Sequence, residues 1–154
     1  MKTARIVISM MVVLMFLFFS DIVFAQTDTE YHAHLTSINQ TIMSHAKALA
    51  TGEAKTKNDQ VTHYNEARKA LAEAKKTHNL LKKVLPEKAK SEAIIHHDNI
   101  DRYYEAATAH ANSLLELLKN EKPDEAKLKE NAKKFHDEIS MAEKEHQELI
   151  RVSN

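Results

Sequence analysis

Residues 128–149 read LKENAKKFHDEISMAEKEHQEL, which sets Leu128, Ala132, Phe135, Ile139, Ala142, His146 and Leu149 at alternating steps of four and three. A repeat of about 3.5 residues keeps one stripe of an α-helix turned toward neighbouring helices, with Lys and Glu left for the wet side. The same rhythm runs through the rest of the chain. A first helix carries Tyr31, Leu35, Ile38, Ile42, His45 and Leu49. A second carries Tyr64, Ala67, Leu71, Ala74, His78, Leu81 and Leu85, and a third carries His96, Ile100, Tyr103, Ala107, His110, Leu114 and Leu117.

Sparse punctuation separates these stripes. Thr27-Asp28-Thr29-Glu30 has the spacing of a capping box and starts the first helix, and Gly52, the single glycine, suits the left-handed residue after its end near Thr51. The polar run from Glu53 to Asn58 forms the first turn, and the second helix runs from about Asp59 to Val84. Pro86 has no amide hydrogen to lose at a first helical position, so the third helix begins there and continues to about Asn120. Lys122-Pro123-Asp124 repeats the device for the fourth. Short connections make consecutive helices antiparallel neighbours. The expected fold is all-α, an antiparallel up-down-up-down four-helix bundle.

A weak internal repeat suggests two duplicated helical hairpins. His32 to His45 and His97 to His110 have the same separation, and Ala74 to His78 lines up with Ala142 to His146.

The chain opens with Met1-Lys2-Thr3-Ala4-Arg5, an apolar run from Ile6 to Phe19, and Val23-Phe24-Ala25. That pattern predicts a signal peptide, residues 1–25, cleaved after Ala25 to leave one bundle domain over 26–154. An anchor kept in the membrane would need a longer apolar core, and Asp21 interrupts this one. The expected location is the periplasm or the secreted fraction, with no stable membrane insertion after cleavage. Lys2, Arg5 and Asp21 leave with the leader, so 22 basic and 22 acidic residues become 20 and 21. Near-neutral charge gives no field for nucleic acid, and a homodimer or an envelope protein is the kind of partner expected.

Ten histidines and no cysteine carry the chemistry. His45, His78, His110 and His146 fall on the apolar stripe, one per helix. Rise along each helix, about 1.5 Å per residue, sorts the histidines into tiers. His45, His63, His110 and His136 form an upper tier. His32, His78, His96, His97 and His146 form a lower one, and His34 is left near the exposed end of the first helix. Imidazoles from facing helices suit a transition metal, zinc, copper, nickel or iron. The diagonal pairs, His45 with His110 and His78 with His146, suit a b-type haem, with Ala67, Ala74, Ala107 and Ala142 leaving room. His32, His63, His97 and His136 stand one step off the stripe, where solvation is the plainer expectation. Glu92 with His96, His97 with Asp101, Asp59 with His63 and Glu143 with His146 could orient or complete a metal site.

Failed patterns narrow the function. Only Glu143 and His146 fit the Glu-x-x-His spacing of a di-iron carboxylate bundle, and Lys75 stands at the corresponding place before His78. There is no His-Glu-x-x-His, no glycine-rich phosphate loop and no nucleophile elbow, so no enzyme class is supported. The expected function is an exported, histidine-rich bundle that holds a metal or haem for storage, buffering or electron transfer. The alternative is a ligand-free helical adaptor or chaperone of the envelope, responsive to pH through its histidines.

Overall fold

The computed structural model describes residues 27–85 and 87–153. The leader and Pro86, with the turn role expected of it, lie outside the described residues. Four helices fill the rest: α1 (Asp28–Thr51), α2 (Lys57–Val84), α3 (Glu87–Leu118) and α4 (Glu125–Ser153). Among the described residues there is no strand, and no helix is long and apolar enough to cross a membrane.

Local chemistry sets the boundaries. Thr27 caps α1 through a complete capping box with Glu30, and Gly52 ends it at φ 78°. Thr56 caps α2 in the same way, paired with Asp59, so this helix begins two residues earlier than the sequence suggests. The Asp124 carboxylate accepts from the Lys127 amide, 3.1 Å, at the head of α4.

The helices form a ring in which α1 packs on α2 and α4, and α3 packs on α4 and α2. The antiparallel four-helix bundle expected from the sequence is the fold observed. Tyr64, Tyr104, Phe135, Leu35, Ile42, Leu81, Ile100, Ile139 and Leu149 are among its fully enclosed side chains. The α2–α3 seam is the loosest of the four, and a groove of about 210 Å³ opens along it between Arg68, Leu71, Lys75, Thr108 and Asn112.

On α2 and α4 the stripe is the one read from the sequence. On α1 and α3 half of it shifts by one residue. Leu35, Ile42, Leu49, Ile100, Ala107 and Leu114 are buried as expected, but the other row is His32, Asn39 and Ala46 on α1, and His97, Tyr104 and Ala111 on α3. Tyr31, His45, His96, Tyr103 and His110 stand beside the core, half-buried, and Ile38 alone of that expected row is also buried. Two expectations are thereby corrected. His45 and His110 are boundary residues, displaced from the core by the smaller Ala46 and Ala111. His32 and His97 are not solvated: each is only 7 % exposed.

Candidate functional site

Two imidazole pairs lie near the end of the bundle where α1 and α3 begin and α2 and α4 finish. His78 and His146 are completely buried, and His97 and His32 lie against them. His97 Nδ1 is 2.8 Å from His78 Nε2, and His32 Nδ1 is 2.8 Å from His146 Nε2. The ring centroids are 5.0 Å apart in both pairs. The same atoms meet at the same distance in the two halves, α1 with α4 and α3 with α2.

Carboxylates stand behind the inner rings. His78 Nδ1 is 3.0 Å from Asp101 Oδ1. His146 Nδ1 lies 3.5 Å from Glu143 Oε2 and 3.4 Å from Thr36 Oγ1, whose hydroxyl hydrogen is donated to Glu143 Oε1 at 3.1 Å. A carboxylate only accepts, and a threonine oxygen whose proton is already given accepts too. The proton of each inner ring is therefore assigned to Nδ1, which leaves Nε2 a lone pair. That lone pair requires the outer ring to donate from its own Nδ1. By elimination, His32 Nε2 and His97 Nε2 are bare lone pairs. Both atoms are buried with no hydrogen-bond partner among the described residues. Each costs about 1–3 kcal/mol in that state.

Burial also keeps His32, His97 and His78 neutral. His32 and His97 titrate at about 4, lowered first by desolvation; His146 opposes a charge on His32, and Lys82 one on His97. Desolvation lowers His78 as well, against the pull of Asp101. Burial pushes the Glu143 carboxyl up, but hydrogen bonds from His146, Asn39 and Gln147 prevail and hold it below the ordinary range.

A polar bridge joins the two halves. Tyr104 Oη donates to Asn39 Oδ1 at 2.9 Å, and Asn39 Nδ2 donates to Glu143 Oε2 at 2.7 Å. The Tyr104 ring meets His78 edge-on at 6.0 Å between centroids. The chain has no match among family models, curated proteins or solved structures.

The remaining histidines are more dispersed. His45 Nδ1 is 2.9 Å from His63 Nδ1 at the other end of the bundle. His110 is half-buried and joined to neither, and His136 lies beside its neighbour Asp137, 3.3 Å. The upper tier therefore yields one pair rather than a group of four. His96 pairs with Glu145 at 2.8 Å and His34 with Glu73 at 3.1 Å. Of the diagonal partners expected for haem, His78 engages His97 and Asp101, and His146 engages His32. Asp101 serves His78 across the α2–α3 seam, not His97 on its own helix. Among the described residues, no three His, Asp or Glu side chains converge as a ready-made metal shell. The arrangement presents two imidazole lone pairs, each backed by a second ring and a carboxylate.

Sequence reading misses Thr36, Asn39, Lys82 and Tyr104 altogether. Asn39 and Tyr104 follow His32 and His97 at equal distance, so alignment of the two hairpins contains the signal.

Proposed function

We propose that this chain is an exported metal-binding bundle whose ion is held by His32 Nε2 and His97 Nε2. The observation that carries this reading is the pair of buried, unpartnered imidazole nitrogens, each fixed as a lone pair by an inner histidine and an oxygen acceptor. Metal-ligating histidines characteristically donate their other ring N–H to an acceptor, which sets the tautomer and raises basicity. Here that acceptor is a second imidazole. The rings stay neutral well below pH 7, so protons do not compete for the lone pairs at physiological pH.

Two donors suit a low-coordinate ion, or an iron already held by a porphyrin. Structural zinc asks for four. A bare ion fits the observations better than haem, because both nitrogens are enclosed and a macrocycle would have to displace packed side chains. Storage, buffering and electron transfer are the roles open to such a protein.

The test is elemental analysis and a visible spectrum on untagged protein recovered from cells expressing the full chain, followed by titration with copper, iron, zinc and haemin. One ion or haem per chain, lost in His32→Ala/His97→Ala, supports the reading. A folded wild type that takes up none of them, or binding that survives the double substitution, overturns it and leaves the adaptor alternative. N-terminal sequencing of the same material tests export, since cleavage after Ala25 exposes Gln26.

A further inference from the structure

Where α1 finishes and α2 begins, a further pair of imidazoles sits at the solvent boundary. His45 on α1 and His63 on α2 are both half-buried, with their Nδ1 atoms 2.9 Å apart. Two nitrogens that share one tetrahedral ion, each at about 2.0–2.1 Å, lie about 3.3 Å from each other, so the pair is already close to ligand spacing. The ring centroids are 5.1 Å apart, which aims the rings almost along the line between the nitrogens, with one N–H proton in the gap. A turn of roughly 35° by each ring aims both lone pairs at a single point instead. Rings packed into a core have no room for that; these stand partly in water. Neither Nε2 is among the enclosed, unpaired nitrogens, so the displaced proton moves to an Nε2 that water reaches.

A carboxylate stands one turn away. On α2, His63 and Glu73 both reach α1, the first to His45 and the second to His34. Glu66 lies three residues after His63 and seven before Glu73, so it shares their flank of the helix. It is exposed, and among the described residues it has no hydrogen bond or ion pair. Asp59, the other acid near His63, is committed to the Thr56 cap.

We propose that His45 Nδ1, His63 Nδ1 and the Glu66 carboxylate form a second, open metal site for a divalent first-row transition ion, with water in the remaining positions. It needs neither His32 nor His97. Among the described residues no three such side chains already converge, so the two rings are the preset donors and the exposed arm of Glu66 turns in to them. Two imidazoles and a carboxylate suit zinc, nickel or copper(II), and copper(II) binds tightest to such donors. Structural zinc is closed off by four protein ligands, whereas three and a water leave a position through which the ion exchanges. One carboxylate against a divalent ion leaves a charge of +1 at the solvent boundary, where it is screened.

The experiment is calorimetric titration of untagged, metal-stripped full-chain protein with copper(II), nickel(II) and zinc(II). The two sites are separated by which substitutions remove which ion: His32→Ala/His97→Ala removes the enclosed ion and leaves this one, and His45→Gln/His63→Gln removes this one alone. Copper(II) binds tightest of the three, and zinc(II) shifts the ring resonances of His45 and His63. Glu66→Gln, at an exposed position where folding is not at stake, weakens the site by at least the about 10-fold that losing a supporting partner costs. An ion count that His45→Gln/His63→Gln leaves unchanged, or an unchanged affinity in Glu66→Gln, overturns the proposal. So does a wild type whose only ion is lost in folded His32→Ala/His97→Ala, an outcome that sustains the enclosed site.

Discussion

Acidification from pH 7.5 to pH 5 loads protons onto the unfolded chain that the native bundle refuses. An unfolded histidine titrates near 6.5, whereas His32 and His97 titrate at about 4 in the fold. Their folded values are lowered, so the native state binds fewer protons than the unfolded one between about pH 6.5 and pH 4. Stability falls with pH through that window and is independent of these rings above it. At pH 5 each ring costs about 2 kcal/mol, or about 4 kcal/mol for the two, and His78 adds to the loss in the same direction. The surrounding charges are included in that balance. His32 faces Asp28 on its own helix, His146 on α4 and His97 on α3; His97 faces Lys82 on α2, His146 on α4, and Asp98 and Asp101 on α3. For a domain of this size the melting temperature drops by roughly 10–20 °C. Circular dichroism melts at pH 7.5, 6 and 5 on metal-free protein measure it, and His32→Leu/His97→Leu flattens the slope even if its absolute stability is lower. A melting temperature that stays level from pH 7.5 to pH 5 refutes the neutral burial on which the calculation rests.

Three further outcomes follow from particular contacts. Tyr104→Phe removes the donor to Asn39 Oδ1 and leaves that oxygen buried and unpaired, which lowers stability by about 1–3 kcal/mol in urea unfolding. Phe135→Ala opens a cavity at a fully buried position and costs about 3–5 kcal/mol, read in the same assay. Gly52→Ala must hold φ at 78°, which costs about 1 kcal/mol; the added Cβ meets only the flexible end of Lys129, 2.8 Å from its Nζ, so strain beyond the backbone is small.

Periodicity and capping chemistry made the fold legible. The stripes of α2 and α4 match the structure because many of their positions are flanked by polar or charged residues, as at Ala67, Ala74, Leu128 and Phe135. On α1 and α3 the choice was ambiguous. His45 and Ala46, His110 and Ala111, and Tyr103 and Tyr104 are adjacent pairs in which either member could face inward. Apolar patterning favours Ile38 over Asn39, and it treats His32 and His97 as solvated. It weighs each side chain against water, whereas the bundle weighs it against the partner it meets. His32, Asn39, His97 and Tyr104 are buried because they hydrogen-bond across helices, a non-local fact absent from any one stripe. Thr36, Asn39, Lys82, Tyr104 and Gln147 fall outside the stripe reading, and the pairing of the histidines and carboxylates is not written in any one stripe. Tiers derived from helix rise give height along the bundle; they carry no information about which face of a helix meets which neighbour.

The loose α2–α3 seam bears on how anything reaches so enclosed a cluster. The His78–His97 ring pair, the His78–Asp101 contact and the Lys82–Asp101 and Lys75–Glu105 ion pairs all bridge that seam, so opening it breaks these while α3 stays packed on α4 and α1 on α2. The cheapest excursion from the native state is thus a hinge-like parting of two intact hairpins rather than the melting of a helix. For the metal-binding function proposed above, uptake and release would be governed by the frequency of that excursion. Amide hydrogens of α2 and α3 facing the seam are expected to exchange sooner than those of α4, as hydrogen–deuterium exchange would read.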